Sequence, residues 1–165
     1  MRKENGQFRK TIFWGPFLLV ILLVFLFFHG AFAPYQQNER RSEALAEKYA
    51  HINRKIAYYE YSRDGKNFNT IKGSTKQGEK LYAIISGNGK KINVIAANSG
   101  ISANKAQNFV LETRKAKRVL HVALGMQSNG KRPVWEVTYL NQNDQLCYSL
   151  LSFKNGSVIQ EIQNL

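Results

Sequence analysis

Ser102-Ala103-Asn104-Lys105 has the Ser-x-x-Lys spacing in which a lysine amine can take a serine proton and turn the hydroxyl into a nucleophile for acyl transfer. The same spacing recurs at Ser128-Asn129-Gly130-Lys131, inside a sequence that reads as a hairpin turn. Two occurrences in a chain of 165 residues with 24 Lys and Arg mark a pattern that arises cheaply. The Ser-Asp-Asn and Lys-Thr-Gly boxes that accompany it in acyl-transferring enzymes are absent. Ser102 also precedes a stretch with helical periodicity. Its expected role is that of an N-cap, whose hydroxyl accepts a bond from an otherwise unpaired backbone N–H.

The other reactive side chains are scattered. His29, His51 and His121 share no His-x-x-His or Glu-x-x-His spacing, and no Cys/His set for zinc exists. Cys147 is the single cysteine and lies in an apolar run, which points to a small core residue and excludes an internal disulfide. The sequence places no two carboxylates in an acid/base pair. No catalytic residue, metal site or cofactor is expected, and the chain reads as a non-enzyme.

The densest charge is Arg114, Lys115, Lys117 and Arg118, in the segment RKAKR that follows a predicted helix. Cations at a helix C-terminus are favoured by the helix dipole. The same four residues are the candidate contact patch for an anionic partner. The whole chain carries a formal charge of +13, and residues 35–165 hold 20 Lys and Arg against 10 Asp and Glu. A basic surface of that kind meets lipid head groups, phosphate-rich wall polymers or acidic protein faces. The compartment argued below excludes nucleic acid as a partner.

What holds these residues in place begins with Ile12 to Ala33, 22 residues without Asp, Glu, Lys or Arg. As a helix this stretch reaches about 33 Å, enough for a hydrocarbon layer of about 30 Å. Ala31-Phe32-Ala33 has the form of a signal-peptidase site. However, the apolar block exceeds a signal core, and Pro34 follows it, so an uncut anchor is expected. Arg2, Lys3, Arg9 and Lys10 precede the block against Glu4 alone. This keeps residues 1–11 in the cytoplasm and the rest outside, a single-pass arrangement in the cell membrane.

Residues 34–38 read as a polar link. From Glu39, Leu45, Tyr49, Ile52 and Ile56 recur at helical spacing, predicting an amphipathic helix of about 17 residues. Strands follow, with turn signals at Asp64-Gly65 and Asn88-Gly89. Residues 102–115 then repeat a helical pattern through Ala106, Phe109, Val110 and Thr113. Four more strands are separated by Asn129-Gly130, the segment NQND and Asn155-Gly156. At a spacing of 53 residues Leu81 matches Val134, Tyr82 matches Trp135, Ile84 matches Val137 and Asn88 matches Asn141. Helix-then-strands thus occurs twice, in residues 39–98 and 99–165, which points to duplication of one unit. The fold expected is α+β: a transmembrane helix, then two units of one helix on an antiparallel sheet.

An anchor flanked by Lys and Arg (12–33), the strand VWEVTYL (134–140) and the related LYAIISG (81–87) resemble the TseB-like family of cell wall elongation regulators. The resemblance implies two tandem cystatin-like domains of the PepSY type, a Gram-positive bacterium, and no catalysis. It also implies partnership with a membrane-bound penicillin-binding protein. The functional expectation is an extracytoplasmic binding protein that modulates wall elongation. The alternative drawn from the PepSY likeness is an inhibitor or chaperone module for an exported protease.

Overall fold

In the computed structural model, which describes residues 5–127 and 130–163, the elements alternate as the sequence suggests. Helix α1 (Asn5–Ala50) precedes strands β1 (Arg54–Arg63), β2 (Lys66–Ser74), β3 (Lys80–Ser86) and β4 (Ile92–Ala96). Helix α2 (Ala103–Thr113) precedes β5 (Arg118–Met126), β6 (Pro133–Leu140), β7 (Leu146–Ser152) and β8 (Val158–Ile162). Two separate sheets result, in the orders β1-β2-β3-β4 and β5-β6-β7-β8, all antiparallel. The fold is therefore α+β, with an apolar N-terminal helix and two four-stranded sheets.

The chain divides into two units, residues 1–38 and residues 39–165. In the first, the stretch from Phe17 to Phe28 is apolar on every side, and each of these side chains is at least 48% exposed. A helix hydrophobic all round needs an apolar environment. Among the described residues α1 contains the one stretch long and apolar enough to cross a membrane. Residues 34–38, expected as a link, are helical and lie within α1.

In the second unit α1 ends at Ala50 rather than continuing to Ile56. His51 takes a left-handed conformation (φ 54°), and the Ile52 N–H returns to the Ala46 carbonyl at 3.3 Å. The left-handed residue turns the chain out of the helix, at a position where glycine is the usual choice. The buried face is Ser42, Ala46 and Ala50, with Leu45 at its edge, while Tyr49 and Ile56 face solvent. Small residues let the helix approach the first sheet closely. Ala46, Ala50 and Ile52 pack on Ile71, Ala83 and Ile85, which alternate onto one face of β2 and β3. Ile56 belongs to β1, at a bulge between Lys55 and Ala57.

The opposite face of that sheet carries Tyr59, Tyr61, Phe68, Tyr82 and Ile84, separated from Tyr58 as period two requires. These residues enter one continuous core with Leu124, Trp135, Val137, Tyr139 and Leu150 of the second sheet, Phe153 in the turn after β7, and Ala106 and Val110 of α2. Cys147 is buried there as a free thiol. Each hairpin is closed by its own turn chemistry. Asp64 and Gly65 are both left-handed (φ 51° and 69°), which gives the two-residue turn whose twist matches the strands.

A helix followed by four strands occurs twice, but the 53-residue pairing is one strand out of step with that order. It matches β3, the third strand of its sheet, with β6, the second strand of the other. Corresponding strands begin 64 to 67 residues apart: Arg54 and Arg118, Lys66 and Pro133, Lys80 and Leu146, Ile92 and Val158. Two structural features fix this register. The Ala116 N–H returns to the Val110 carbonyl at 3.4 Å past left-handed Lys115 (φ 50°), as Ile52 does past His51. A bulge between Val119 and His121 in β5 repeats the one between Lys55 and Ala57.

Burial of the shared core has a measurable electrostatic signature. Desolvation pushes the Tyr61 hydroxyl up to about 12, and it pushes Tyr82 and Tyr59 upward as well. The folded state thus holds protons that an unfolded tyrosine releases near 10. The stabilisation is complete below about pH 10 and is lost as pH rises toward 12. The urea midpoint is expected to fall steeply between about pH 10 and 12, and a flat midpoint across that window would contradict burial of these hydroxyls.

Candidate functional site

Ser102 caps α2. It has extended backbone angles (φ −79°, ψ 164°), and its Oγ accepts from the Lys105 backbone N–H at 3.2 Å. The Ser-x-x-Lys spacing is thus accounted for by a helix start. Substituting Ser102→Ala is expected to cost about 1 kcal/mol, read as a small drop in urea midpoint, with partner binding unchanged. The second occurrence includes Ser128 and Asn129, which lie outside the described residues.

The remaining polar groups are occupied one by one. His51 sits at the left-handed residue after α1, and His121 on β5 places Nε2 3.3 Å from the Glu60 carbonyl. Glu39 and Glu43 converge on Lys55 at 2.9 and 2.8 Å. Among the described residues no group of three or more His, Cys, Asp or Glu side chains is placed to hold a metal. Glu39, Glu43, Glu136, Glu161 and Asp144 each meet a cation.

The segment from Arg114 to Arg118 is divided by the fold. Arg114 Nε pairs with Glu161 of β8, and its guanidinium lies 5.5 Å from the centre of the Phe109 ring. Lys117 Nζ reaches Asp144 at 2.7 Å. Lys115 is exposed at the helix terminus, where its carbonyl accepts from Gln142 Nε2 at 2.7 Å, and Arg118 is exposed at the start of β5. Two of the four cations therefore face acids 47 and 27 residues away in sequence. Lys115 and Arg118 project without an ion pair among the described residues.

The seam between the sheets holds what the sequence did not disclose. Arg63 Nη1 on β1 donates to Glu136 Oε2 on β6 at 2.7 Å, with side chains 12% and 11% exposed. Thr70 Oγ1 donates to the Leu124 carbonyl at 2.7 Å, fully buried. Gly125 lies against the Tyr61 ring so closely that a Cβ there would meet it at 2.3 Å. Trp135 Nε1 donates to the Ile101 carbonyl at 2.9 Å, joining β6 to the residue before the α2 cap. These contacts join the two sheets across their shared core.

No family model matches the chain. Along its length it is similar to the probable cell wall elongation regulator TseB of Bacillus subtilis (strain 168). The two are 27% identical over 168 residues, covering 98% of this chain and 99% of that protein. Among solved structures it is similar to the YpmB protein from Bacillus subtilis, with a TM-score of 0.64 and 26% identity, over 75% of this chain and 95% of that one. The resemblance to the TseB-like family thus extends over the whole chain, apolar helix included.

Proposed function

We propose that this chain, similar over 98% of its residues to a probable cell wall elongation regulator, is a membrane-anchored, extracytoplasmic, non-enzymatic regulator. It binds a membrane-bound penicillin-binding protein and modulates wall elongation. The observation that carries the reading is the likeness across 98% of the chain to a protein named for that role. Two features of the fold support it. The apolar helix supplies confinement to a surface, which raises the local concentration of any membrane partner and lets a weak interface be occupied. The two sheets share one core and are joined by the Arg63–Glu136 pair, a body that can present a surface to a partner.

The anchor is residues 12–33, with the N-terminus inside and residues 39–165 outside. Arg114, Lys115, Lys117 and Arg118 are the proposed patch for an acidic face or an anionic wall polymer. Lys115 and Arg118 are its available members, because Arg114 and Lys117 already meet Glu161 and Asp144. Substituting only Lys115→Ala and Arg118→Ala removes the patch without stranding those acids.

Cross-linking in living cells, followed by purification of the full chain from detergent extracts, tests the reading. A penicillin-binding protein is expected among the captured proteins, and fewer such adducts are expected from the Lys115→Ala/Arg118→Ala variant. Recovery of no wall-synthesis protein would overturn the regulator reading. Equal recovery by the variant would overturn the patch alone.

A further inference from the structure

Three turns come together at one end of the two-sheet body. Gly65 of the β1–β2 turn, Asn88 of the β3–β4 turn and Gly130 of the β5–β6 turn line a single open cleft of about 600 Å³. Lys66, Lys90 and Lys91 line it too, and Phe68 contributes to its wall. Lys131 and Arg132 follow Gly130 in the third turn, which the Gln127 N–H closes on the Arg132 carbonyl at 2.8 Å. All five cations are exposed. Of the ten Asp and Glu in residues 35–165, only Asp64 lies in these turns.

The position of this end matters. The Arg41 guanidinium donates to the Asn88 carbonyl at 3.2 Å, so the β3–β4 turn lies beside the point where the chain enters this unit. Arg41 is itself exposed and adds a sixth cation. It comes eight residues after Ala33, the last residue of the apolar stretch. Eight residues span about 12 Å as a helix and no more than about 29 Å fully extended. A surface tethered that closely to a bilayer samples the head-group layer continuously, and each Lys or Arg there gains about as much as one ion contact provides.

We propose that the end formed by the three turns is a docking surface for anionic phospholipid head groups, with Arg41, Lys66, Lys90, Lys91, Lys131 and Arg132 facing the membrane. Docking holds the opposite end of the sheets, where β8 and the 114–118 segment meet, toward the partner. The inference rests on the anchor reading and extends it: the body is oriented on the membrane, not merely leashed to it.

The test uses the full chain reconstituted in lipid nanodiscs of phosphatidylglycerol or of phosphatidylcholine, read by amide hydrogen exchange. Exchange at residues 65–67, 87–91 and 130–132 is expected to slow on the order of tenfold in the anionic discs relative to the zwitterionic ones. The slowing is expected to vanish in about 0.5 M salt and in Lys90→Glu/Lys91→Glu. Protection of β3 and β6 amides in the same data reports folding of that variant, and Lys131→Gln/Arg132→Gln serves as a second. Equal exchange in both lipids would overturn the proposal, as would slowing that survives both variants. Slowing produced in phosphatidylcholine discs by a soluble phosphate polymer, with none in the anionic discs, would also overturn it by assigning the turns to a wall polymer. Failure of the chain to co-purify with discs of either lipid would instead strike at the anchor itself.

Discussion

Replacing Trp135 with alanine is expected to cost about 3–5 kcal/mol. The indole is fully buried on β6 and forms edge contacts with Tyr59 and Tyr82 of the other sheet, with ring centres 5.5 and 5.8 Å apart. It also tilts against Phe153 at 6.4 Å. Its Nε1 donates to the Ile101 carbonyl, and the Ile101 N–H in turn donates to the Phe153 carbonyl at 2.7 Å. Alanine would leave a cavity bordered by both sheets and an unpaired carbonyl at the entry to α2. Neighbours from three elements cannot all collapse into that space.

Against a total stability of about 5–15 kcal/mol, such a loss removes much of the folded margin. For a unit of this size it lowers Tm by roughly 12–20 °C. Trp135→Phe keeps most of the ring contacts and loses the hydrogen bond, so about 1–3 kcal/mol is expected. Thermal and urea unfolding of the full chain in detergent, followed by near-ultraviolet circular dichroism, measures both. A loss below about 1 kcal/mol for Trp135→Ala would mean that the two sheets do not share a core.

That shared core shows where the sequence is readable and where it is not. Strand alternation is local, so Tyr59 and Tyr61 separate from Tyr58 by inspection, and Asn-Gly and Asp-Gly pairs mark turns without knowledge of the partner strand. Helix ends are harder. His51 and Lys115 both adopt left-handed conformations that glycine signals and they do not, so the apolar spacing predicts an end beyond Ala50, where α1 stops. The apolar spacing through Ile52 and Ile56 continued into β1 and disguised the change of period. The 53-residue match arose because β3 and β6 are both central, doubly buried strands of similar composition. Composition tells central from edge, and it does not tell second from third. The true register is carried by bulges and backbone angles, which have no residue signature here.

The fate of the basic segment follows the same logic. Four cations within five residues look like one patch, because sequence shows only neighbours along the chain. Glu161 and Asp144 arrive from strands and turns formed later and neutralise Arg114 and Lys117. Conversely, Lys66, Lys90, Lys91, Lys131 and Arg132 look dispersed and become one surface when three hairpin turns meet. Antiparallel sheets bring alternate turns to the same end, so charge placed in every second turn is a long-range pattern that only topology reveals.

Breaking the Arg63–Glu136 pair is the second substitution with a large expected effect. The pair joins β1 to β6 across 73 residues, and its two side chains are nearly removed from solvent. Removing one partner leaves the other charge buried without compensation, so Arg63→Ala or Glu136→Ala is expected to cost about 3–5 kcal/mol. An exposed pair would cost only about 0–1 kcal/mol. The double replacement Arg63→Met/Glu136→Leu is expected to recover most of that loss, because it also removes the desolvation of both charges. Urea unfolding of the two single variants and the double variant gives the coupling energy directly. If the singles lose no more than a surface pair does, the seam is wet and the sheets are free to shift. If the double variant regains stability but not capture of the wall-synthesis partner, the pair serves alignment more than cohesion. Thr70 and Gly125 constrain the sheets at neighbouring points of the seam, yet neither is charged and neither can penalise a slipped register as strongly. The ion pair can, since any slip buries two charges apart, and a body whose two sheets present one surface to a partner depends on that penalty.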